Sequence, residues 1–282
     1  MLKKRLITAL LIIPLLVTAV WFDEPLPWFT VFVATWGVLA VTEFYRMATT
    51  LKVLPLTGFG LIWTFLLILS RDSKLLATIE PHFDLNLLTL LLLTSAIVLP
   101  LIWLILRHRK IEAFTSWAWT LIGILYVGWL LGHLVALRGL DNLGYSDYGN
   151  NLVFFTIFIT FASDSTAFFI GRAWGRHHLA PRISPKKTWE GAIAGVFGAI
   201  TASLLFNALF NLPFNYEQAI LLGVAVSVFG QFGDLVESLF KRNMGVKESG
   251  NLLPGHGGFL DRMDSVAFAG VVVYYYVILF GG

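Results

Sequence analysis

The sequence predicts an all-α, polytopic membrane protein with about nine transmembrane helices and a cytoplasmic N-terminus. Three observations lead there. The 282 residues are 57% hydrophobic and 13% charged, whereas a water-soluble domain carries about 25% charged residues. Apolar stretches approaching the roughly 20 residues that cross a bilayer recur along the chain. The lysines and arginines, finally, collect between alternate stretches.

The first stretch, 6–22, follows Lys3, Lys4 and Arg5 and contains Pro14. No small-x-small cleavage site comes after it, so it reads as a retained span rather than a secretory signal. Further spans are expected over 27–45, 55–70, 86–106, 114–137 and 152–170. The seventh, 191–211, carries Gly191, Gly195 and Gly198 at helical spacing, a pattern that lets backbones approach closely in lipid. The last two are 217–236 and 265–280. With the N-terminus inside, seventeen of the twenty lysines and arginines fall in inner segments; Arg71, Lys74 and Arg138 are the three outside. Positive charge is retained on the cytoplasmic side of membranes, so that orientation is the expected one. No linker or internal repeat divides the chain, which is read as a single integral membrane domain, 1–282, in a cell inner (plasma) membrane. There is no cysteine, which excludes disulfides and thiolate-bound zinc.

The inner segments 171–190 and 237–264 are longer and more polar than connecting turns require. Carboxylates at bilayer depth are costly and tend to face a functional cavity. Asp164 is one, about 9 Å below the inner end of the sixth span, beside Ser163, Ser165 and Thr166. Asp234, Ser238 and Lys241 follow at i, i+4 and i+7, a single helical stripe, with Glu237 off its centre. Gly255, His256, Gly257 and Gly258 form a loop whose backbone can approach phosphate. Asp261 and Asp264 are expected to open the ninth span on one face. Acidic oxygens beside incoming phosphates suit Mg²⁺. Arg172, Arg176, Arg182, Lys186 and Lys187 offer a second cluster able to hold phosphate, or simply to rest on anionic head groups.

The stretch SLFKRNMGVKESGNLLPGHGGFLDRMDS (238–265) closely resembles the signature of phosphatidate cytidylyltransferases, also called CDP-diacylglycerol synthases. DSTAFFIGRAWGRHHLAPRISPKKTWEG (164–191) resembles a second block of that family. The two motif blocks, 164–191 and 234–265, are expected to form the active site on the cytoplasmic side. The resemblance implies transfer of the cytidylyl group of CTP to phosphatidic acid, releasing pyrophosphate, in phospholipid biosynthesis. It implies Asp234 and Asp261 as ligands of a divalent cation, with Asp264 close by. Ser184, Lys186, Lys187, Ser238, Lys241, Arg242, Lys247 and Arg262 match its basic and hydroxyl positions. Asp164, Asp234, Asp261, Asp264 and Lys241 are the expected catalytic set. The other matched groups, with His256 as a hydrogen-bonding group of the loop, are expected to bind substrate. Three positions depart from the pattern: Glu248 stands for Asp, Thr166 for Gly and Phe168 for Tyr, which excludes a phenol at 168.

Phosphatidate is ionised near neutrality, so a strong general base is unnecessary, and positioning with charge neutralisation should dominate. A lipid kinase using CTP would instead release CDP. A transporter would show paired broken helices, and a CDP-alcohol phosphotransferase a D-G-x-x-A-R run; neither is found. Membrane lipid is the expected surrounding, no nucleic-acid partner is expected, and a homo-oligomer is left open.

Overall fold

The computed structural model describes residues 2–22, 26–79, 84–107, 113–140, 147–250, 252 and 257–280. Every expected span falls on helix. In chain order these are α1 (Leu2–Trp21), α2 (Trp28–Thr49), α3 (Thr57–Leu69), a short α4 (Ser73–Ile79) and α5 (Leu85–Leu106). Then come α6 (Ala113–Gly123), a π-helical stretch (Ile124–Trp129), α7 (Leu130–Arg138), α8 (Tyr148–Trp174), α9 (Trp189–Leu209), α10 (Tyr216–Asn243) and α11 (Asp264–Phe280). Six stretches are long and apolar enough to cross a membrane: Trp28–Thr49, Asn86–Leu106, Ala113–Arg138, Tyr148–Trp174, Trp189–Leu209 and Tyr216–Asn243. Ile12–Trp21, Thr57–Leu69 and Asp264–Phe280 are apolar but shorter. Leu90, Leu91, Ile105 and Leu106 on α5 are more than half exposed, and lipid is the solvent that accepts such a surface. The chain is an all-α, multi-pass membrane protein.

The helices cluster into two compact units, Met1–Gly139 with Asn243–Asp261, and Leu140–Arg242 with Arg262–Gly282. The first is built around α2, whose residues from Phe29 to Ala48 are largely buried. Tyr45 fills a slot bounded by Gly60 and Gly123, where any Cβ would collide with its ring, and its hydroxyl donates to the Thr120 carbonyl oxygen at 2.7 Å. The segment 243–261 packs in this unit through named bonds: Thr50 Oγ1 donates to the Met244 carbonyl at 2.7 Å, and Trp36 Nε1 to that of Phe259 at 3.0 Å.

The second unit is organised by α8 against α9. A Cβ at Gly191 would lie 2.7 Å from the Ala167 carbonyl oxygen and 3.0 Å from Gly171 Cα. Gly195 approaches the Ser163 carbonyl and Gly198 the Thr166 side chain, so the small residues expected to draw helices together do so. Ser163 and Ser227 hydroxyls lie 2.7 Å apart, fastening α10 to α8. Gly233 lets α10 meet the Asp264 carbonyl at the start of α11.

Between α8 and α9 runs a hairpin absent from the expected elements. Strand β1 (His178–Ala180) pairs antiparallel with β2 (Ser184–Thr188). Ala180, Pro181, Arg182 and Ile183 make the turn, closed by Ile183 N–H donating to the Ala180 carbonyl at 3.1 Å; Pro181 sits where its fixed φ suits such a turn. A two-stranded ribbon has only edges, so Pro185 is tolerated within β2. Thr188 caps α9 by accepting from Gly191 N–H at 3.2 Å.

Candidate active site

The first sequence block meets the opening stretch of the second, 234–242, inside the second unit. Lys187, at the end of β2, places Nζ 2.7 Å from Asp234 Oδ2 on α10. Arg242, two turns on, donates from Nε to the Ile183 carbonyl at 3.2 Å. Segments separated by some fifty positions are thereby joined through a base-to-acid contact and a base-to-backbone contact.

Further acids gather at the same place. Asp164 on α8 is exposed; it accepts a hydrogen bond from the Ser265 hydroxyl and lies in the electrostatic field of Asp264, Asp234 and Lys187. Because α8 runs on to Trp174, Asp164 lies further from the helix end than the expected span over 152–170 implied. Asp264 approaches Glu237, with Asp234 and Lys241 also in its field. Like charges at such separations repel unless a proton or cation relieves them. Lys241 Nζ lies 3.1 Å from Glu237 Oε1, an i,i+4 pair in which Glu237 is essentially buried. Ser238 Oγ is 3.4 Å from Asp234 Oδ1, so the stripe of Asp234 and Ser238 forms as spaced, while Lys241 turns to Glu237. Glu237, off the centre of that stripe, is therefore part of this cluster. Ser184 is half-buried and Lys186 exposed on the hairpin.

Asp261 belongs to the first unit. It sits in a 3₁₀ turn, Leu260–Arg262, and α11 begins only at Asp264. The expectation that Asp261 and Asp264 open one helical face is corrected accordingly: the tighter turn intervenes. Its Oδ2 accepts from Ser249 N–H (3.1 Å) and Gly258 N–H (2.9 Å) and lies 3.0 Å from Ser249 Oγ. Gly257 has φ +83°, a conformation open to glycine, and this bend brings the Gly258 amide onto the carboxylate. Lys247, Glu248 and Arg262 are exposed. His256 and the adjoining residues 253–255 lie outside the described residues.

Among the described residues, no three acid, histidine or cysteine side chains form a ready metal cage. That donor set still fits magnesium, which binds through one or two carboxylates and takes its other oxygens from phosphates and water. The half-buried Asp234, with Asp164 and Asp264 in mutual electrostatic reach, offers hard oxygen donors and no soft ones.

An α-helical membrane protein with carboxylates and lysines clustered where two polar segments meet defines a class that handles anionic substrates beside lipid. The chain belongs to the cytidylyltransferase family, whose model matches residues 3–280. It is similar to a phosphatidate cytidylyltransferase of Bacillus subtilis, 35% identical over 254 residues that make up 89% of each chain. It is 32% identical over 287 residues to one from Brucella abortus, covering 99% of this chain and 94% of that one. Another, from Haemophilus influenzae, is 33% identical over 282 residues, covering 95% and 96%. The resemblance read from the two motif blocks extends over nearly the whole chain.

Proposed function

We propose that this chain is a phosphatidate cytidylyltransferase working at the cytoplasmic face of a bacterial inner membrane. It transfers the cytidylyl group of CTP to phosphatidic acid, giving CDP-diacylglycerol and pyrophosphate. A phosphate oxygen of phosphatidate attacks the α-phosphorus of CTP, and the bond to the β-phosphate bridging oxygen breaks as pyrophosphate leaves. The observation that supports the reading is the Lys187–Asp234 pair at 2.7 Å, a base of the first family block against an acid at the start of the second.

The reactants and the transition state are crowded with negative charge, so the side chains work by holding and neutralising. Lys186, Lys187, Lys241 and Arg242 bind phosphate oxygens from the second unit, with Ser184 and Ser238 as hydroxyl donors. Lys247 and Arg262 are assigned the same task. Lys187 exchanges its contact with Asp234 for phosphate when substrate arrives, releasing the carboxylate. Asp234 and Asp261 are each proposed as carboxylate ligands of Mg²⁺, with Asp164 and Asp264 supporting Asp234. Magnesium, when bound, would neutralise nucleotide phosphate charge. The acyl chains of phosphatidate remain in hydrocarbon throughout.

Asp234→Asn tests the reading in detergent micelles supplied with labelled CTP and phosphatidate. Turnover should fall by about 100-fold or more in protein that elutes and melts like the parent. Near-normal turnover would contradict the role of Asp234.

A further inference from the structure

Glu43 lies in the C-terminal third of α2 and is 1% exposed, outside both motif blocks. Its Oε2 accepts from two donors at opposite ends of one loop, Ser249 Oγ at 2.9 Å and Leu260 N–H at 3.1 Å. The same Ser249 oxygen is 3.0 Å from Asp261 Oδ2. Glu43, Ser249 and Asp261 therefore form an acid–hydroxyl–acid chain, with one serine hydroxyl between two carboxyls. Two glycines make room for it. A Cβ on Gly250 would collide with Glu43 Oε1, and one on Gly258 with Glu43 Oε2 and Ser249 Oγ.

Trp36, two turns earlier on the same face of α2, reinforces the attachment. Its indole N–H donates to the Phe259 carbonyl at 3.0 Å, and the two rings meet edge-on with centroids 4.8 Å apart. A carboxyl buried within a membrane span is expensive and is kept where it acts. The bonds made by Oε2 go to the loop that carries Asp261.

We propose that Glu43 is a positioning residue for the transfer reaction: acting through Ser249 and the Leu260 amide, it fixes Asp261 for the nucleotide phosphates. This rests on the function proposed above. Partners that orient a ligating carboxylate are commonly worth 10–100-fold in activity when removed.

The test uses full-length protein carrying Glu43→Ala, Glu43→Gln or Glu43→Asp, with steady-state kinetics and amide hydrogen exchange measured together. In Glu43→Ala, kcat/KM for CTP should fall by about 10–100-fold while KM for phosphatidate holds. Exchange at Ser249, Gly258 and Leu260 should quicken while α2 itself stays protected. Glu43→Gln should recover most of both properties, because its amide oxygen, standing in for Oε2, can accept from Leu260 N–H and Ser249 Oγ. Glu43→Asp, one methylene short, should behave like Ala and stands in for it should the alanine variant not fold. Unchanged exchange in the loop would overturn the proposal, as would equal damage in Glu43→Gln with exchange raised along all of α2, the mark of a packing role. Parent protein that makes no CDP-diacylglycerol would defeat the functional reading instead, and loop exchange would still report whether Glu43 holds Asp261.

Discussion

The Lys187–Asp234 contact sets what single substitutions do. Lys187 is about three-quarters buried and Asp234 about two-thirds, so removing the lysine leaves a partly desolvated carboxylate without its cation. Lys187→Ala should raise KM for CTP or phosphatidate and lower kcat, and arginine at 187 should restore part of the loss through its own charge; steady-state kinetics on both variants decide it. Lys187→Ala at parental KM and kcat would remove this residue from substrate binding. Asp164, Asp234 and Asp264 could be singled out in the sequence because each has its own local mark: depth in an apolar stretch, an i, i+4 partner in Ser238, and a place at the end of the family signature. Glu43 was not. It is 206 positions from Ser249, and no periodicity relates a buried acid in one helix to a loop so distant. Glu237 was legible only as a neighbour of the stripe, since its burial depends on how α10 meets Asp264 in three dimensions.

Between helices, glycine sets the distance. The pair α8 and α9 touches through Gly191, Gly195 and Gly198, and at Gly191 the obstacles to a Cβ are backbone atoms, which cannot step aside. Gly191→Val should therefore destabilise the protein by about 1–3 kcal/mol, read as a lower unfolding temperature in detergent. Gly58, where an added Cβ would meet nothing within 4 Å, provides the contrast: Gly58→Ala should melt within error of the parent. Apolar runs of near-bilayer length announced these helices directly. The hairpin at 178–188 gave no such signal, because its strands are only three and five residues long and Pro185 interrupts the second. Its turn was readable in principle from Pro181, but its pairing depends on Trp189 N–H closing onto the His177 carbonyl at 2.9 Å.

Topology and reaction together define the whole protein. The absence of cysteine makes sidedness directly measurable with single introduced thiols. Arg182→Cys, in the exposed hairpin turn, should react with an impermeant maleimide only from the cytoplasmic face. Tyr216→Cys, 80% exposed in the parent, should react only from the opposite face. Labelling of both from one side would overturn the orientation drawn from lysine and arginine. Chemistry is judged most directly by supplying purified protein with phosphatidate and CTP labelled at the α-phosphorus. Label should enter the lipid as CDP-diacylglycerol with one pyrophosphate released for each lipid formed. Label recovered as free CDP beside a newly phosphorylated lipid, or no label in lipid at all, would contradict the proposed function.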